Sequence, residues 1–154
     1  MDTQKPMSRF LVKLSVVITI FFASLYGAEN PFVKAGEYYH INPWILYSIA
    51  KVESNNNSSA VNKNRNGTVD VGIMQINSCH FQTLSKYGYS PNDLFDANLN
   101  IHVGAWILSG CIAKHGYTVG ALSCYNGDKT GRYSKKVIEM YYRETKKYAS
   151  NEDY

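Results

Sequence analysis

The sequence lacks an apolar run long enough to span a membrane. Its most apolar stretch, residues 14–26, has 13 residues, whereas a spanning helix needs about 20. Three basic residues precede this run, and the small residues Gly27 and Ala28 follow it. This pattern is typical of a secretory signal peptide. We therefore predict a signal peptide over residues 1–28, with cleavage near Gly27 or Ala28. Retention as an uncleaved N-terminal anchor stays open, because the residue three positions before either bond would be the large Leu25 or Tyr26.

Strong charge of either sign is also missing. The formal net charge of the whole chain is +4. Loss of residues 1–27 would remove three basic residues and one acidic residue and leave +2. The remaining Lys and Arg residues form no clustered stripe, which argues against nucleic acid as a partner. A weakly basic surface slightly favours an anionic polymer, and membrane contact is expected only through an uncleaved N-terminal segment.

Motifs for metal or redox chemistry are absent as well. The three cysteines have no CxxC spacing, and the four histidines have no HExxH spacing. These absences argue against a zinc ribbon, a thioredoxin-type site and a zinc protease. We predict no metal and no cofactor. An oxidising compartment would permit one disulfide and leave one thiol free.

The residues that are present favour one globular domain over 29–148, followed by a flexible tail over 149–154. No repeat or low-complexity segment interrupts it, and 45% of the whole chain is hydrophobic. Apolar spacing and capping residues predict a mainly helical α+β domain with a small hairpin at Asn66-Gly67. The predicted helices cover residues 31–40, 43–53, 79–84, 119–125 and 134–148, with a central helix that is capped by Asp96 or Asn98 and ends at Gly116.

Glu53 is the first candidate for chemistry. Leu46, Ile49, Ala50 and Glu53 follow at i, i+3, i+4 and i+7, so this carboxyl continues an apolar helix stripe. Burial raises the pKa of a carboxyl and suits it to general acid catalysis near neutral pH. The plainer interpretation is a buried glutamate neutralised by Lys or Arg.

Four short sequence strings decide between these two interpretations of Glu53, because they occur in the order and at the spacing typical of one known protein family. They are Glu53-Ser54, residues 72–78 (GIMQINS), residues 98–108 (NLNIHVGAWIL) and residues 121–127 (ALSCYNG). Together they resemble the lytic transglycosylase domain of the lysozyme superfamily, in particular its small members that accompany secretion systems and pilus assembly. The resemblance covers roughly residues 31–145. It implies a lysozyme-like fold with a small β element between the catalytic helix and the core helix, and action on peptidoglycan in the periplasm.

The resemblance also implies roles for individual residues. Glu53 matches the catalytic acid and base, Met74 and Gln75 match a pair that contacts the glycan, and Tyr125 with Asn126 match a pair beside the acid. Met74 and Tyr125 have alternative interpretations as core side chains. The candidate substrate-binding residues are Ser54, Met74, Gln75, Asn77, Tyr125 and Asn126.

The chain departs from the family pattern where many relatives have a cysteine at position 98 and alanines at 123 and 124; it has Asn98, Ser123 and Cys124. An antiparallel helical turn could bring Cys111 and Cys124 together, and we favour that disulfide, with Cys79 free. All three pairings remain open from sequence.

The role of Asp70 distinguishes the two reactions that Glu53 could catalyse. It follows Glu53 by 17 residues, an interval at which animal-type lysozymes also have an aspartate. A lytic transglycosylase needs only Glu53, with Asp70 in a secondary role, whereas a retaining lysozyme needs both carboxyls. A third hypothesis is a non-catalytic wall-binding or assembly subunit. Peptidoglycan glycan strands are the predicted partner, and secretion-system or pilus assembly proteins are further candidates.

Overall fold

The computed structural model describes residues 30–151, with side chains through residue 150. The predicted signal peptide lies outside these residues. Within them, every helix is too short or too polar to cross a membrane.

The first two helices form as predicted because the sequence supplies their start and end signals. Helix α1 covers Pro31–Tyr39, and α2 covers Pro43–Ser54. The Asn42 side chain accepts a hydrogen bond from the Trp44 amide at 2.9 Å, and Pro43 occupies the first turn, where its missing N–H has no consequence. The apolar stripe of α2 is buried and leads to Glu53 in its last turn.

A small antiparallel sheet follows α2. Its strands are β1 (Val61–Lys63), β2 (Val69–Val71) and β3 (Ile76–Asn77), in that spatial order. The predicted hairpin joins β1 and β2, and Gly67 in its turn has φ +83°. The third strand was not predicted, because its two residues are too few to show an alternating pattern.

The second half of the domain is helical. A 3-10 turn at Ser78–His80 leads into α3 (Phe81–Lys86), and a second 3-10 segment covers Pro91–Phe95. The following helices are α4 (Ala97–His115), α5 (Val119–Asn126) and α6 (Arg132–Asn151). Helix α6 begins two residues before the predicted start, and it continues through part of the predicted flexible tail.

Helix α4 lies at the centre of the domain and packs against α1, α2 and α5, while α6 packs along α2. Of the two predicted caps, Asp96 is the one used: it accepts from the Leu99 amide at 2.8 Å. Gly116, with φ +68°, follows the last helical residue, as predicted. A disulfide joins Cys111 of α4 to Cys124 of α5, and Cys79 is free and exposed. The domain is thus mainly helical with a small sheet, which confirms the predicted α+β class.

Candidate active site

Glu53 lies in the last turn of α2, half-buried at the edge of the core. The Asn126 amide donates to its Oε1 at 3.4 Å. The buried Tyr133 hydroxyl also interacts with Glu53, but without a hydrogen bond of ordinary length and angle. Burial raises the pKa of Glu53. The contacts with Tyr133 and Asn126 oppose that rise, and the nearby charge of Asp70 adds to it. The carboxyl therefore stays protonated to a higher pH than an exposed glutamate.

Tyr125 ties α5 to the loop between β2 and β3. Its hydroxyl donates to the Met74 carbonyl oxygen at 2.8 Å. Burial raises the pKa of Tyr125 well above its usual value, and the charges of Glu53 and Asp70 act in the same direction. Tyr125 is therefore a neutral hydrogen-bond donor beside the acid. The charge of Glu53 acts on Tyr125, the Tyr125 hydroxyl is hydrogen-bonded within the protein, and contact of Tyr125 with a glycan stays a prediction.

The loop after β2 is held from the α4 side by Asn100, which is fully buried. Its amide nitrogen donates to the Val71 and Leu94 carbonyls at 2.9 and 2.8 Å, and its oxygen accepts from the Met74 amide at 2.8 Å. Gly72 has φ +81°, and a Cβ there would clash with Asn100. Glycine at this position therefore allows the close approach that fixes the loop.

Ser54 holds the same loop from the α2 side. Its hydroxyl donates to the Ile73 carbonyl at 2.7 Å and accepts from the Asn57 amide at 3.0 Å. The serine that follows the acid thus supports the loop beside Glu53. Contact of Ser54 with a glycan stays a prediction.

Met74 and Gln75 were predicted to contact the glycan, and the structure places both inside the protein. Met74 is 0% exposed and packs against Gly104 of α4. The Gln75 amide nitrogen donates to the Gly72 and Ala60 carbonyls at 2.8 and 3.3 Å, and its oxygen accepts from Asn62 at 2.6 Å. These bonds hold Gln75 in a left-handed conformation, φ +52°, which is uncommon for a residue other than glycine. Their glycan contacts stay a prediction.

Asp70 is fixed by two asparagine side chains. Asn77, its partner across β2 and β3, donates to Oδ1 at 2.6 Å, and Asn64 donates to Oδ2 at 2.8 Å. The Asn77 oxygen accepts from the Cys79 amide at 3.0 Å, so this predicted substrate-binding residue also supports the backbone. The charge of Asp70 acts on Glu53, which places both carboxylates in one electrostatic environment.

Sequence reasoning missed Tyr133 and Asn64. Tyr133 stands just after the last of the four strings, in a helix whose predicted start was two residues too late. Asn64 precedes the hairpin turn, and strand pairing across Asn66-Gly67 could have placed it near Asp70. In residues 30–151, no three His, Cys, Asp or Glu side chains are grouped as a metal site would require.

The fold and the site define a lysozyme-like protein, in which a half-buried glutamate at a helix end faces a small sheet and a loop braced by the core helix. The family model described as Transglycosylase SLT domain matches residues 30–149. The chain belongs to this family, and membership supports a peptidoglycan-acting function of the lytic transglycosylase type.

Named relatives extend the comparison. Invasion protein IagB of Salmonella typhimurium is 36% identical over 134 residues, covering 81% of this chain and 84% of its own. Protein IpgF of Shigella flexneri is 37% identical over 134 residues, covering 86% and 85%. A peptidoglycan-binding-like protein of Escherichia coli O157:H7 is 32% identical over 155 residues, covering 91% and 92%. The similarity therefore extends over most of each chain.

Proposed function

We propose that this protein is an exported lytic transglycosylase. It cleaves the β-1,4 bond between N-acetylmuramic acid and N-acetylglucosamine and leaves 1,6-anhydro-muramic ends. The observation that carries this proposal is the half-buried Glu53, whose pKa is raised by burial and whose carboxyl lies beside the Asn126 amide.

The reaction needs one carboxyl in two protonation states. Glu53 gives its proton to the bridging oxygen, the C1–O bond breaks, and positive charge develops on the muramic sugar. The Glu53 carboxylate then takes the proton from the C6 hydroxyl of that sugar, and the C6 oxygen bonds to C1. Glu53 ends protonated as it began, and no water is consumed. Intramolecular attack has an effective molarity of about 10⁵ M or more when the groups are well placed.

The residues around Glu53 support both steps. Asn126 and Tyr133 are positioned to stabilise the carboxylate formed after the first step, because both lower the pKa of Glu53. The charge of Asp70 favours the protonated form that begins the cycle. In this proposal Asp70 is a secondary catalytic residue that also stabilises positive charge on the sugar. Ser54, Met74, Gln75, Asn77, Tyr125 and Asn126 remain the proposed residues of the glycan site, acting by contact or by support.

The alternative function is a hydrolytic lysozyme that uses Glu53 and Asp70. The observation in its favour is that Asp70 lies close enough to raise the pKa of Glu53. A retaining hydrolase also places two carboxyls near one bond, an arrangement for which lysozyme is the type case.

Mass spectrometry of muropeptides released from purified peptidoglycan distinguishes these functions, because anhydro and reducing ends differ by one water. We expect anhydro ends from the wild type and no release by Glu53→Gln. Reducing ends would make the protein a lysozyme. Release of no muropeptides by a folded wild type that binds the wall would favour the non-catalytic wall-binding subunit.

For the biological role, we propose local opening of the wall in the periplasm during assembly of a secretion system or pilus. The similarity to a protein named for invasion over most of both chains supports this role. The glycan strand is the proposed substrate, and assembly proteins of the machine are proposed partners. Deletion of the gene should reduce assembled machines at the cell surface, and a copy that carries Glu53→Gln should fail to restore them.

A further inference from the structure

A concave site lies between α1, the segment after α3 and the first half of α4. Its cavity measures about 780 Å³, within the range of about 300–1,000 Å³ that is usual for small-molecule sites. We call it the aromatic groove, because six rings line it: Tyr38, Tyr39, Tyr87, Tyr89, His102 and Trp106.

The aromatic groove is lined by residues other than those of the candidate active site. An α-helix turns about 100° per residue, so His102 points about 200° from Asn100 around α4. Asn100 bonds to the Met74 amide, and Gly104 contacts the Met74 side chain. The face of α4 that carries His102 is therefore opposite the face that supports the catalytic loop. Glu53, Asp70, Tyr125 and Tyr133 are not among the lining residues.

Four of the six rings are exposed, Tyr39 and His102 are half-buried, and several rings pack against one another. Tyr38 is 70% exposed and Tyr87 is 73% exposed. The His102 ring packs against Tyr38 and Tyr39 at centroid distances of 5.2 and 5.3 Å. Trp106, 37% exposed, packs edgewise on His80 at 6.0 Å. Large aromatic rings that face solvent in a preformed concavity are typical of a binding surface.

The lining also indicates what would bind. It contains no Lys, Arg, Asp or Glu; its aliphatic floor is Leu84, Leu99 and Val103, and Asn98 adds an amide at the rim. An anionic ligand would need a cation here. A pyranose ring has an apolar C–H face that stacks on aromatic rings, while its hydroxyl and N-acetyl groups can bond to tyrosine hydroxyls, imidazole and amide.

We propose that the aromatic groove is a second, non-catalytic glycan-binding site for an uncharged stretch of β-1,4-linked N-acetylhexosamine. It would hold the enzyme on one stretch of glycan strand, or on a neighbouring strand, while Glu53 cleaves a bond elsewhere. The choice of a wall glycan as ligand rests on the proposed function.

Trp106 provides a direct test, because it is one of two tryptophans in the chain. Trp44→Phe leaves Trp106 as the only indole, and Glu53→Gln prevents cleavage. In this background, tetra-N-acetylchitotetraose should change the Trp106 fluorescence saturably. Adding Tyr38→Ala with Tyr87→Ala should weaken the response at least about fivefold, since two stacking rings are lost. Tyr142 on α6 is exposed to a similar extent, at 66%, and Tyr142→Ala should stay within about twofold of the parent.

Circular dichroism checks that each variant is folded, and the single change Tyr87→Ala, at a highly exposed side chain, serves if the double variant is unstable. An unchanged Trp106 signal, or equal affinity in the groove variants and Tyr142→Ala, would overturn the proposal. A response to phospholipid vesicles in place of the sugar would overturn it too. The proposed function is tested separately by muropeptide release from the wild type, so either can fail while the other stands.

Discussion

At the residue scale, the protonation of Glu53 depends on opposing interactions. Burial and the charge of Asp70 raise its pKa, while contacts with Tyr133 and Asn126 lower it. The net effect is a raised pKa, so the protonated acid persists to a higher pH than at an exposed glutamate. A raised pKa suits a general acid, because general acid–base catalysis is most efficient when the pKa lies near the working pH.

Glu53→Gln should retain the fold and reduce cleavage of purified sacculi at least about 100-fold, because the amide keeps the volume but cannot donate the proton. It should also raise the melting temperature at neutral pH. The pKa of Glu53 is higher in the folded protein than in the unfolded chain. The folded state is therefore most stable below the unfolded pKa, where Glu53 is protonated in both states, and it loses stability as the pH rises through the folded value. A glutamine side chain has no charge to form and avoids this loss.

The gain in stability should therefore shrink as the pH falls toward 4.5, the ordinary value for this carboxyl. Thermal unfolding at several pH values measures it, with Glu37→Gln, at an exposed position on α1, as the control. Near-normal turnover by folded Glu53→Gln would refute the assignment of Glu53.

Asp70→Asn should leave substantial activity and shift the alkaline limb of the kcat/KM profile to lower pH. The negative charge of Asp70 raises the pKa of Glu53, so its removal lowers that pKa, and the protonated acid disappears at a lower pH. The pH–rate profile on solubilised peptidoglycan measures the shift, and Glu37→Gln should not reproduce it. Near-complete inactivation of a folded variant, with reducing ends from the wild type, would show that Asp70 acts as in a lysozyme.

How far the site could be predicted differs from residue to residue. Glu53 and Tyr125 were predictable because a helix period or a motif fixes their position. Met74 and Gln75 lie in the predicted loop, but their burial depends on Gly104, Asn62 and backbone carbonyls that only the folded chain brings near. A motif identifies such residues without distinguishing contact with substrate from support of the loop.

At the scale of elements, helix ends were predicted best where a local signal exists. Asn42-Pro43 begins α2 and Gly116 follows α4, because caps depend on residues within one turn. The two-residue β3 and the start of α6 were missed. β3 is defined by its pairing with β2. The first amides of α6 are capped by Thr130 and Asp128, which accept from the Arg132 and Tyr133 amides at 3.4 and 2.8 Å, but Gly131 stands between these residues and the helix start. A short segment whose structure depends on residues outside it carries few local sequence signals of that structure.

The helical pair α4 and α5 depends on its disulfide. Protein exported to an oxidising compartment should contain one Cys111–Cys124 disulfide and one thiol, at Cys79, when unreduced peptides are mapped. Replacing both bonded cysteines by alanine should lower the free energy of unfolding by about 3 kcal/mol, as expected for a loop closed over a separation of 13 residues. Cys79→Ala, at an exposed position, is the control and should change stability little. A mapped linkage through Cys79 would contradict the pairing.

At the scale of the whole molecule, the small net charge conceals an uneven distribution. Helix α6 has six basic and two acidic side chains, so it carries a charge equal to the formal +4 of the whole chain. The expectation from sequence that the basic residues form no cluster is therefore wrong for this helix. The basic side chains of α6 are exposed, whereas no charged residue lines the aromatic groove. Electrostatic attraction to an anionic wall should therefore act mainly through α6, and stacking through the aromatic groove.

Binding of Glu53→Gln protein to purified sacculi should consequently weaken a few-fold between low and high salt, since the Debye length falls from about 30 Å at 0.01 M to about 3 Å at 1 M. Four Lys→Gln changes on α6 should remove most of this salt dependence and leave binding at high salt unchanged. The α6 variant carries the changes at Lys135, Lys136, Lys146 and Lys147. The matched control carries the same loss of charge at Lys63, Lys86, Lys114 and Lys129. Co-sedimentation across a salt series measures both variants. An equal loss of salt dependence in the control would show that net charge, and not the placement of charge on α6, governs attraction to the wall.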